Sequence, residues 1–197
     1  MKNLTDEQLA VFHKQLHPKP YFHFNEVQPF RNFTFEKLGR GNFEQLFNMF
    51  GNDDSLFIDK RFTSLKNARQ YAEYLELYGT FSPKHGCCDW YFKMNEEYAG
   101  VLHLYDLSLE TWNENDKRCW IGFATKPALR NQGITTGIVQ YFVEQIFESY
   151  SKIKYIHSMT LLPNAAANAV LANAEFYLDK AEKMNDGYVF FVKEKVQ

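Results

Sequence analysis

The stretch KPALRNQGITTGIVQYFVEQIFESY, residues 126–150, decides the fold because a short polar loop runs directly into an amphipathic helix. An apolar residue recurs at every fourth position from Ile134 to Tyr150, which predicts one buried helix face. The loop, residues 130–137, contains two glycines, two threonines and little side-chain bulk. The start of a helix leaves about four backbone N–H groups without internal partners and carries roughly half a positive charge. The loop therefore predicts either a phosphate-binding helix start or a tight turn that brings the helix close to a sheet.

The segments around this helix predict a mixed sheet. RCWIGFAT (118–125) precedes the loop and IKYIHSMTLL (153–162) follows the helix, so these two strands should be parallel neighbours joined by a right-handed crossover. Other strands should pair antiparallel through short turns. One such pair is DWYFKMN (89–95) with AGVLHLYDLSLET (99–111). Another is the last hairpin, in which the NDG turn (185–187) precedes the strand YVFFVKEKV (188–196). The fold class is therefore α/β, with a mostly antiparallel sheet and one parallel strand pair.

The rest of the chain is predicted to add one strand and several helices to a single domain. The strand covers about 33–38, and the helices cover 5–16, a segment ending near Gly51, TSLKNARQYAEYLELYG up to Gly79, and an alanine-rich segment at 164–176. Residues 1–32 form an aromatic and proline-containing extension that should pack on the domain, residues 33–197.

Composition excludes several classes of function. The 197 residues carry 22 Lys and Arg against 24 Asp and Glu, a net charge of -2, so no nucleic-acid partner is expected. No apolar stretch approaches 18 residues, and the amino terminus carries acids where a signal peptide would be apolar. We therefore expect no membrane partner, a cytoplasmic location, and a monomer or homodimer. Three cysteines without metal-ligand spacing predict no metal and no disulfide.

Two motifs identify a family. RNQGITTGI after WIGFATKPAL resembles the pyrophosphate loop of the GNAT superfamily of N-acetyltransferases, whose pattern is Arg/Gln-x-x-Gly-x-Gly/Ala. Arg130 and Gly133 match this pattern, whereas Thr135 stands where Gly or Ala is usual. The resemblance is to the RimJ and RimL branch, which acetylates protein N-termini and has a second motif that residues 164–176 match at Asn164, Val170, Leu171 and Phe176. It implies a GNAT-like fold with helices on both faces of the sheet.

The resemblance also implies a site for acetyl-CoA as co-substrate. In the family, the strand before the loop diverges from its parallel neighbour, and its opened backbone hydrogen-bonds the pantetheine arm. The positions that this implies for the arm here are Phe123, Ala124, Thr125 and Asn164. The loop residues implied to hold the pyrophosphate are Arg130, Asn131, Gln132, Gly133, Ile134, Thr135, Thr136 and Gly137.

The catalytic groups are harder to assign, because the sequence departs from the family. Many relatives carry a carboxylate base on the strand where this chain has Cys119, Trp120 and Ile121. A tyrosine that serves as the general acid in much of the superfamily would fall at Leu171, and the serine of the branch falls at Ala167. Replacement candidates are Asp106 and Glu110 on the neighbouring strand and Ser158 on the following strand. The alternative is that the two carboxylates belong to a solvated stripe. Glu175 replaces the glycine that ends the family's helix, and a glutamate there would either bear a strain of about 1 kcal/mol or let the helix end differently. We predict a modified helix end and no loss of fold.

The expected reaction is acetyl transfer to a primary amine by direct attack on the thioester. Deprotonating a terminal α-amine at pH 7 costs about 1–1.4 kcal/mol, whereas deprotonating a lysine side chain costs about 4.6 kcal/mol. A site poor in bases therefore favours an α-amine of a protein or a small-molecule amine. Two alternatives stay open: a non-catalytic acyl-CoA-binding or interaction module that has lost its acid and base, and an interaction protein without a CoA site.

Overall fold

The computed structural model describes residues 27, 29–79, 87–105, 118–150, 153–179 and 187–196. The strands are β1 (Phe33–Lys37), β2 (Cys88–Met94), β3 (Glu97–Tyr105), β4 (Arg118–Thr125), β5 (Tyr155–Leu161), β6 (Tyr177–Leu178) and β7 (Tyr188–Glu194). The helices are α1 (Glu44–Phe50), α2 (Leu65–Tyr74), α3 (Ile134–Ser149) and α4 (Ala165–Asn173). A π-helical turn, Leu75–Gly79, continues α2, and a 3-10 turn, Pro127–Leu129, follows β4.

The seven strands form one sheet in the order β1-β2-β3-β4-β5-β7-β6. Only the central pair, β4 and β5, is parallel; every other neighbouring pair is antiparallel. The predicted fold class and the parallel pair around α3 are thus confirmed. This arrangement places the start of α3 at the end of the central strand, where ligands bind in many α/β sheets.

Helices cover both faces of the sheet, as the resemblance implied. On one face α3 and α4 pack against strand residues such as Trp90 and Leu102 through the apolar stripe of α3. On the other face α1 and α2 pack against Tyr91 and Val101. Each strand of the centre therefore buries side chains on both sides, which explains its nearly continuous apolar sequence.

Several predicted segments fall wholly or partly outside the described residues. These are the helix at 5–16, the continuation of β3 into 106–111, and the turn at 185–187. Of the extension at 1–32, Val27 is buried in the core and the ring of Phe30 stacks on Tyr141 of α3, with ring centroids 4.4 Å apart. The division of the chain at residue 32 stays a prediction.

Two predicted absences concern membranes and metals. Over the described ranges, no helix combines the length and apolar character needed to cross a bilayer. No cluster of three His, Cys, Asp or Glu side chains suited to a metal ion occurs in the same part of the chain. The three cysteines are buried without disulfide bonds, and burial raises the pKa of Cys88 to about 12. A thiol of this kind packs as a small apolar group.

The end of α4 keeps its backbone geometry despite the Glu175 substitution. Glu175 adopts φ of 65°, in the left-handed region, and the amide of Phe176 donates to the carbonyl of Leu171 across the helix end. The prediction of a modified helix end was therefore wrong, and the strained alternative is what the structure contains. Lys193 of β7 donates to the carbonyl of Ala174 at 2.9 Å, which holds this helix end on the sheet.

Replacing Glu175 by glycine is expected to raise the free energy of unfolding by about 0.5–1 kcal/mol, because glycine adopts a positive φ without steric cost. Urea unfolding at pH 7 measures the change. Glu175→Ala is the matched control, since alanine removes the exposed carboxylate contact with Lys193 while keeping the strain. An equal stability for the two variants would contradict the strain at this position.

Candidate active site

The parallel strands β4 and β5 separate halfway along their length. Their pairing runs from Arg118 with Tyr155 to Ile121 with Ser158. Beyond this point β4 continues to Thr125 beside β3, while β5 continues beside β7. The hydroxyl of Ser158 donates to the carbonyl of Ile121 at 3.1 Å and closes the apex of the opening. A fork thus opens in the centre of the sheet, between residues 122–125 and 159–161.

The backbone of Phe123 faces into this fork. The amide of Lys126, the residue after β4, donates to the carbonyl of Ala99 on the β3 side at 2.9 Å. Because alternate residues of a strand direct their backbone groups to opposite edges, Gly122 and Ala124 also bond toward β3, while Phe123 and Thr125 face β5. An extended ligand can therefore pair with the backbone of Phe123 as an added strand would.

Ala124 and Thr125 differ from Phe123 in what they present. Ala124 directs its carbonyl toward β3, but the residue still lines the cavity described below. The carbonyl of Thr125 accepts a hydrogen bond from Arg130 Nε at 3.0 Å. Of the three strand positions implied for the pantetheine arm, the geometry thus favours Phe123 for backbone hydrogen bonds.

The loop before α3 leaves its small residues with free space around them. Gly133 is the N-cap residue of α3 with φ of 73°, and Asn131 also has a positive φ of 61°. A Cβ atom added at Gly133 or at Gly137 would meet nothing within 4 Å, so no contact with the protein requires glycine there. The turn explains Gly133 through its backbone, but it does not explain the open space in front of the helix.

Thr135 has a structural reason to depart from the family pattern. Its hydroxyl lies 2.7 Å from the hydroxyl of Thr125, which is buried at the end of β4. This bond ties the first turn of α3 to the strand that borders the fork. The strand end and the helix start, which the resemblance assigns to one binding site, are therefore connected directly. Gln132 contributes in the same loop by donating to the carbonyl of Ala128 at 3.1 Å.

Arg130 is engaged by the protein itself. It forms an ion pair with Asp53, which lies in the segment after α1 and has a side chain only 3% exposed. Burial by itself would raise the pKa of Asp53, but hydrogen bonds from Arg130 and from the amide of Ser55 lower it below its ordinary value. Arg130 therefore links the loop, the end of β4 and the α1 side of the protein.

Replacing Asp53 by asparagine is expected to lower the free energy of unfolding at pH 7 by about 1–3 kcal/mol, because Arg130 loses its charged partner. The pKa of Asp53 is lower in the folded state than in the unfolded state. The contribution of Asp53 is therefore complete above the unfolded pKa of 3.8 and is lost as the pH falls through the folded pKa. Urea unfolding of wild type and Asp53→Asn at pH 7 and pH 3 measures this contribution. If the two proteins differed in free energy of unfolding by the same amount at both pH values, the predicted pH dependence would be contradicted.

Asn164, Ala167 and Leu171 line the other wall of the fork. The side chain of Asn164 caps α4 by accepting from the amide of Ala167 at 3.2 Å. Ala167 and Leu171 follow on the same face of the helix, and all three residues border the cavity. Asn164 thus has a structural role through its oxygen, and a contact of its amide nitrogen with a ligand stays a prediction.

One cavity of about 930 Å³ passes through the fork. On the α4 side it is bordered by Ser158, Ala167 and Leu171, and on the α2 side by Tyr71 and Cys87, which belong to the opposite layer of the core. Aromatic residues form much of the remaining wall, and they include Phe57, Tyr74, Tyr105, Trp120, Tyr188 and Phe190. The sheet is therefore perforated at its centre, where the backbone of Phe123 is exposed.

A buried polar cluster lies on the α2 side of this cavity. Asp89 of β2 and His103 of β3 are paired across the two strands, and Nδ1 of His103 lies 2.5 Å from Oδ2 of Asp89. The hydroxyl of Tyr71 donates to the same oxygen at 2.6 Å. Burial, followed by the charge of Asp89, raises the pKa of Tyr71, so the phenol stays protonated. None of these three residues belongs to either sequence motif.

Next to this cluster lies a charged pair. Arg61 Nε donates to Asp59 at 2.8 Å, and the guanidinium lies 4.1 Å from the centre of the Tyr71 ring. Burial would raise the pKa of Asp59, but the hydrogen bonds from Arg61 lower it below its ordinary value. Both residues border the cavity, so its α2 half combines an ionised carboxylate, a guanidinium and an imidazole.

The predicted catalytic residues have different outcomes. Asp106 and Glu110 lie outside the described residues, so their role stays a prediction. Ser158 borders the cavity, but its hydroxyl proton is directed to the carbonyl of Ile121. Its position at the apex of the fork explains why a serine is buried there.

Comparisons with known proteins agree with this geometry. The family model described as acetyltransferase (GNAT) family matches residues 53–176. No curated protein matches the sequence significantly.

Solved structures of similar fold include RimL, the ribosomal L7/L12 alpha-N-protein acetyltransferase, in complex with coenzyme A. The two chains are 16% identical with a TM-score of 0.64, and the match covers 85% of this chain and 97% of the RimL chain. The ribosomal-protein-S5-alanine acetyltransferase from Vibrio fischeri matches at 12% identity and TM-score 0.63 over 85% and 95%. Aminoglycoside acetyltransferase AAC(6')-Ib in complex with coenzyme A and kanamycin matches at 15% identity and TM-score 0.65 over 83% and 95%.

The match of the family model extends from Asp53, the partner of Arg130, to Phe176 at the end of the second motif. It therefore spans the fork, the loop and the helix that borders them, and it covers more than half of the sequence. The RimL structure belongs to the branch that the two motifs resemble. This chain is accordingly a member of the acetyltransferase (GNAT) family.

Proposed function

We propose that this protein transfers an acetyl group from acetyl-CoA to a primary amine by direct attack of the amine on the thioester. The observation that supports the proposal most strongly is the fork between β4 and β5, which opens directly in front of the helix start at Gly133. An extended arm and a pyrophosphate require these two features side by side, because one pairs with strand backbone and the other binds unpartnered helix amides.

The residues that hold acetyl-CoA in this proposal fall into two groups. The backbone of Phe123 pairs with the pantetheine arm, and the open space in front of Gly133 and Gly137 receives the pyrophosphate. Thr136 is half-buried in the first turn of α3, where its hydroxyl can add a further donor. Arg130 supports the loop through Asp53 and Thr125 and leaves most of the anion binding to backbone amides.

The chemistry follows from where the thioester would lie. The neutral amine attacks the thioester carbon, and the amide of Phe123, which faces the fork, stabilises the oxyanion of the tetrahedral intermediate. The attacking nitrogen loses a proton, the C–S bond breaks, and the leaving CoA thiolate takes up a proton. The products are an N-acetylated amine and CoA.

The acceptor in this proposal is an α-amine of a protein or a small-molecule amine. RimL and the ribosomal-protein-S5-alanine enzyme are named for protein acceptors, and AAC(6')-Ib was solved with kanamycin. The α2 half of the cavity, with its aromatic wall and the Asp59–Arg61 pair, is where such an acceptor would bind. A cytoplasmic location and a monomeric or dimeric state stay predictions.

Two measurements on the purified protein test the proposal. Acetyl-CoA is expected to raise the thermal unfolding temperature, and thiol release should exceed background hydrolysis with at least one amine of a panel that contains short peptides with free N-terminal Ala, Ser or Met, kanamycin, and a polyamine. Thermal protection without thiol release for any amine would favour the non-catalytic acyl-CoA-binding module. The absence of both thermal protection and thiol release would favour an interaction protein without a CoA site.

A further inference from the structure

We propose that His103 is the general base of the acetyl transfer and that Asp89 is the residue that positions it. The inference rests on the proposed function and identifies a catalytic group that the departures at Cys119, Trp120 and Ile121 left unassigned. It uses a part of the cavity that neither sequence motif includes.

The hydrogen bonds of the cluster define which nitrogen can act. The carboxylate of Asp89 is 1% exposed and accepts from Nδ1–H of His103 and from the hydroxyl of Tyr71. A neutral imidazole that donates from Nδ1 carries its lone pair on Nε2. The ring plane is held as well, because it stacks on Phe62 with centroids 5.5 Å apart and an interplanar angle of 18°.

The imidazole lies at the point where the fork begins. His103 pairs with Gly122, the first residue of β4 beyond the last pair with β5. A Cβ atom at Gly122 would lie 3.2 Å from Cδ2 of His103, the ring carbon bonded to Nε2. The missing side chain of Gly122, the residue that precedes Phe123, thus leaves room for the ring edge that carries the lone pair.

This placement gives each group one task. The acceptor amine approaches from the α2 side of the sheet, and its nitrogen forms the new C–N bond with the thioester carbon. Nε2 of His103 accepts the proton that this nitrogen loses, and Asp89 stabilises the imidazolium that results. When the C–S bond breaks, the thiolate leaves with the proton that the imidazolium returns, directly or through water, so the histidine is neutral again.

A purely structural role is the competing explanation. A buried carboxylate needs hydrogen-bond donors, and His103 and Tyr71 could serve only to satisfy Asp89. The two explanations differ in what a glutamine at position 103 would do. Its amide group can still donate to Asp89, but it has no basic nitrogen.

The experiment compares wild type with His103→Gln and His103→Ala, using the panel amine that gives the fastest thiol release. We expect kcat to fall by about 10²–10⁴-fold in both variants, while the Kd of acetyl-CoA changes less than about threefold. The acid limb of kcat/KM against pH should disappear, and added imidazole should restore part of the activity of His103→Ala. His157→Gln, on β5, is the control for loss of a buried histidine.

The pH profile has to be interpreted with the neighbouring groups in mind. The titratable or charged groups that face the imidazole from the surrounding elements are Asp89, Cys87, Tyr71, Arg61 and Asp59. Asp89→Asn therefore serves as a second variant, which should shift the acid limb and lower kcat less than His103→Gln does.

Each outcome has a defined meaning. Activity of His103→Gln within about threefold of wild type, or an unchanged acid limb in that variant, overturns the assignment of the base and leaves acetyl transfer intact. Absence of thiol release by wild type overturns the proposed function and the base together. Loss of acetyl-CoA binding in His103→Gln in parallel with loss of activity would establish the structural role instead.

Discussion

An alanine at Gly100 is expected to lower the free energy of unfolding by about 2–4 kcal/mol, because the strand has no space for one more carbon atom. The added Cβ would lie 2.2 Å from Cζ of Phe92 and 2.4 Å from the carbonyl oxygen of Ala124. The first contact involves a fully buried ring of β2, and the second involves the backbone of β4. Neither group can move without displacing a central strand.

Urea unfolding at pH 7 measures this loss, with Gly41→Ala as the matched control. Gly41 is exposed, and a Cβ atom added there would meet nothing within 4 Å, so its replacement should change stability by less than about 0.5 kcal/mol. The pairing of β2 and β3 shifts register between Phe92, the partner of Gly100, and Lys93. Equal midpoints for the two variants would show that this irregularity absorbs a methyl group. Because Ala124 adjoins Phe123, we also expect Gly100→Ala to weaken acetyl-CoA binding in whatever fraction stays folded.

Glutamate in place of Thr136 is expected to weaken acetyl-CoA binding by about 10–100-fold without destabilising the protein. A carboxylate in the first turn of α3 interacts favourably with the helix dipole, by about 0.3–1 kcal/mol, so the fold should be at least as stable as wild type. The same carboxylate would stand next to the pyrophosphate, where two negative charges a few ångströms apart repel by several kcal/mol near a protein surface. The signs of the two effects are therefore opposite.

Thermal unfolding of the free protein and titration with acetyl-CoA measure the two effects separately. Thr136→Gln is the matched control, because it has the same length as glutamate without the charge. An acetyl-CoA affinity that is equal in the Glu and Gln variants would contradict pyrophosphate binding at this helix start. A loss of stability in the Glu variant alone would mean that the charge disturbs the packing of α3.

The sequence was sufficient to predict the fold, because the deciding patterns are local. The apolar stripe of α3, the turn glycines and the strand on either side of the helix specify a parallel pair without any knowledge of distant contacts. The fork itself was expected from the resemblance to the family, which implied an opened backbone from Phe123 to Thr125. The structure adds where the pairing stops, at Ile121 and Ser158. Partners brought together by long-range contacts, such as Asp53 for Arg130, were beyond such reasoning.

The Asp89–His103 pair shows a more specific reason why a site can escape prediction. Counting back from the turn at Asn95 and Glu96, an uninterrupted hairpin would pair Asp89 with Leu102, whose side chain belongs to the core. The register shift after Phe92 moves the pairing by one residue and brings Asp89 opposite His103. One extra residue in the strand thus decides whether the carboxylate meets an imidazole.

The cavity that passes through the sheet also has a kinetic consequence. Acetyl-CoA is expected on the side of α3 and α4 and the amine on the side of α1 and α2, so neither molecule blocks the entrance of the other. Turnover should then follow a sequential mechanism through a ternary complex, with intersecting double-reciprocal lines. Product CoA should compete with acetyl-CoA but not with the amine, and each product should be able to dissociate while the opposite entrance is occupied.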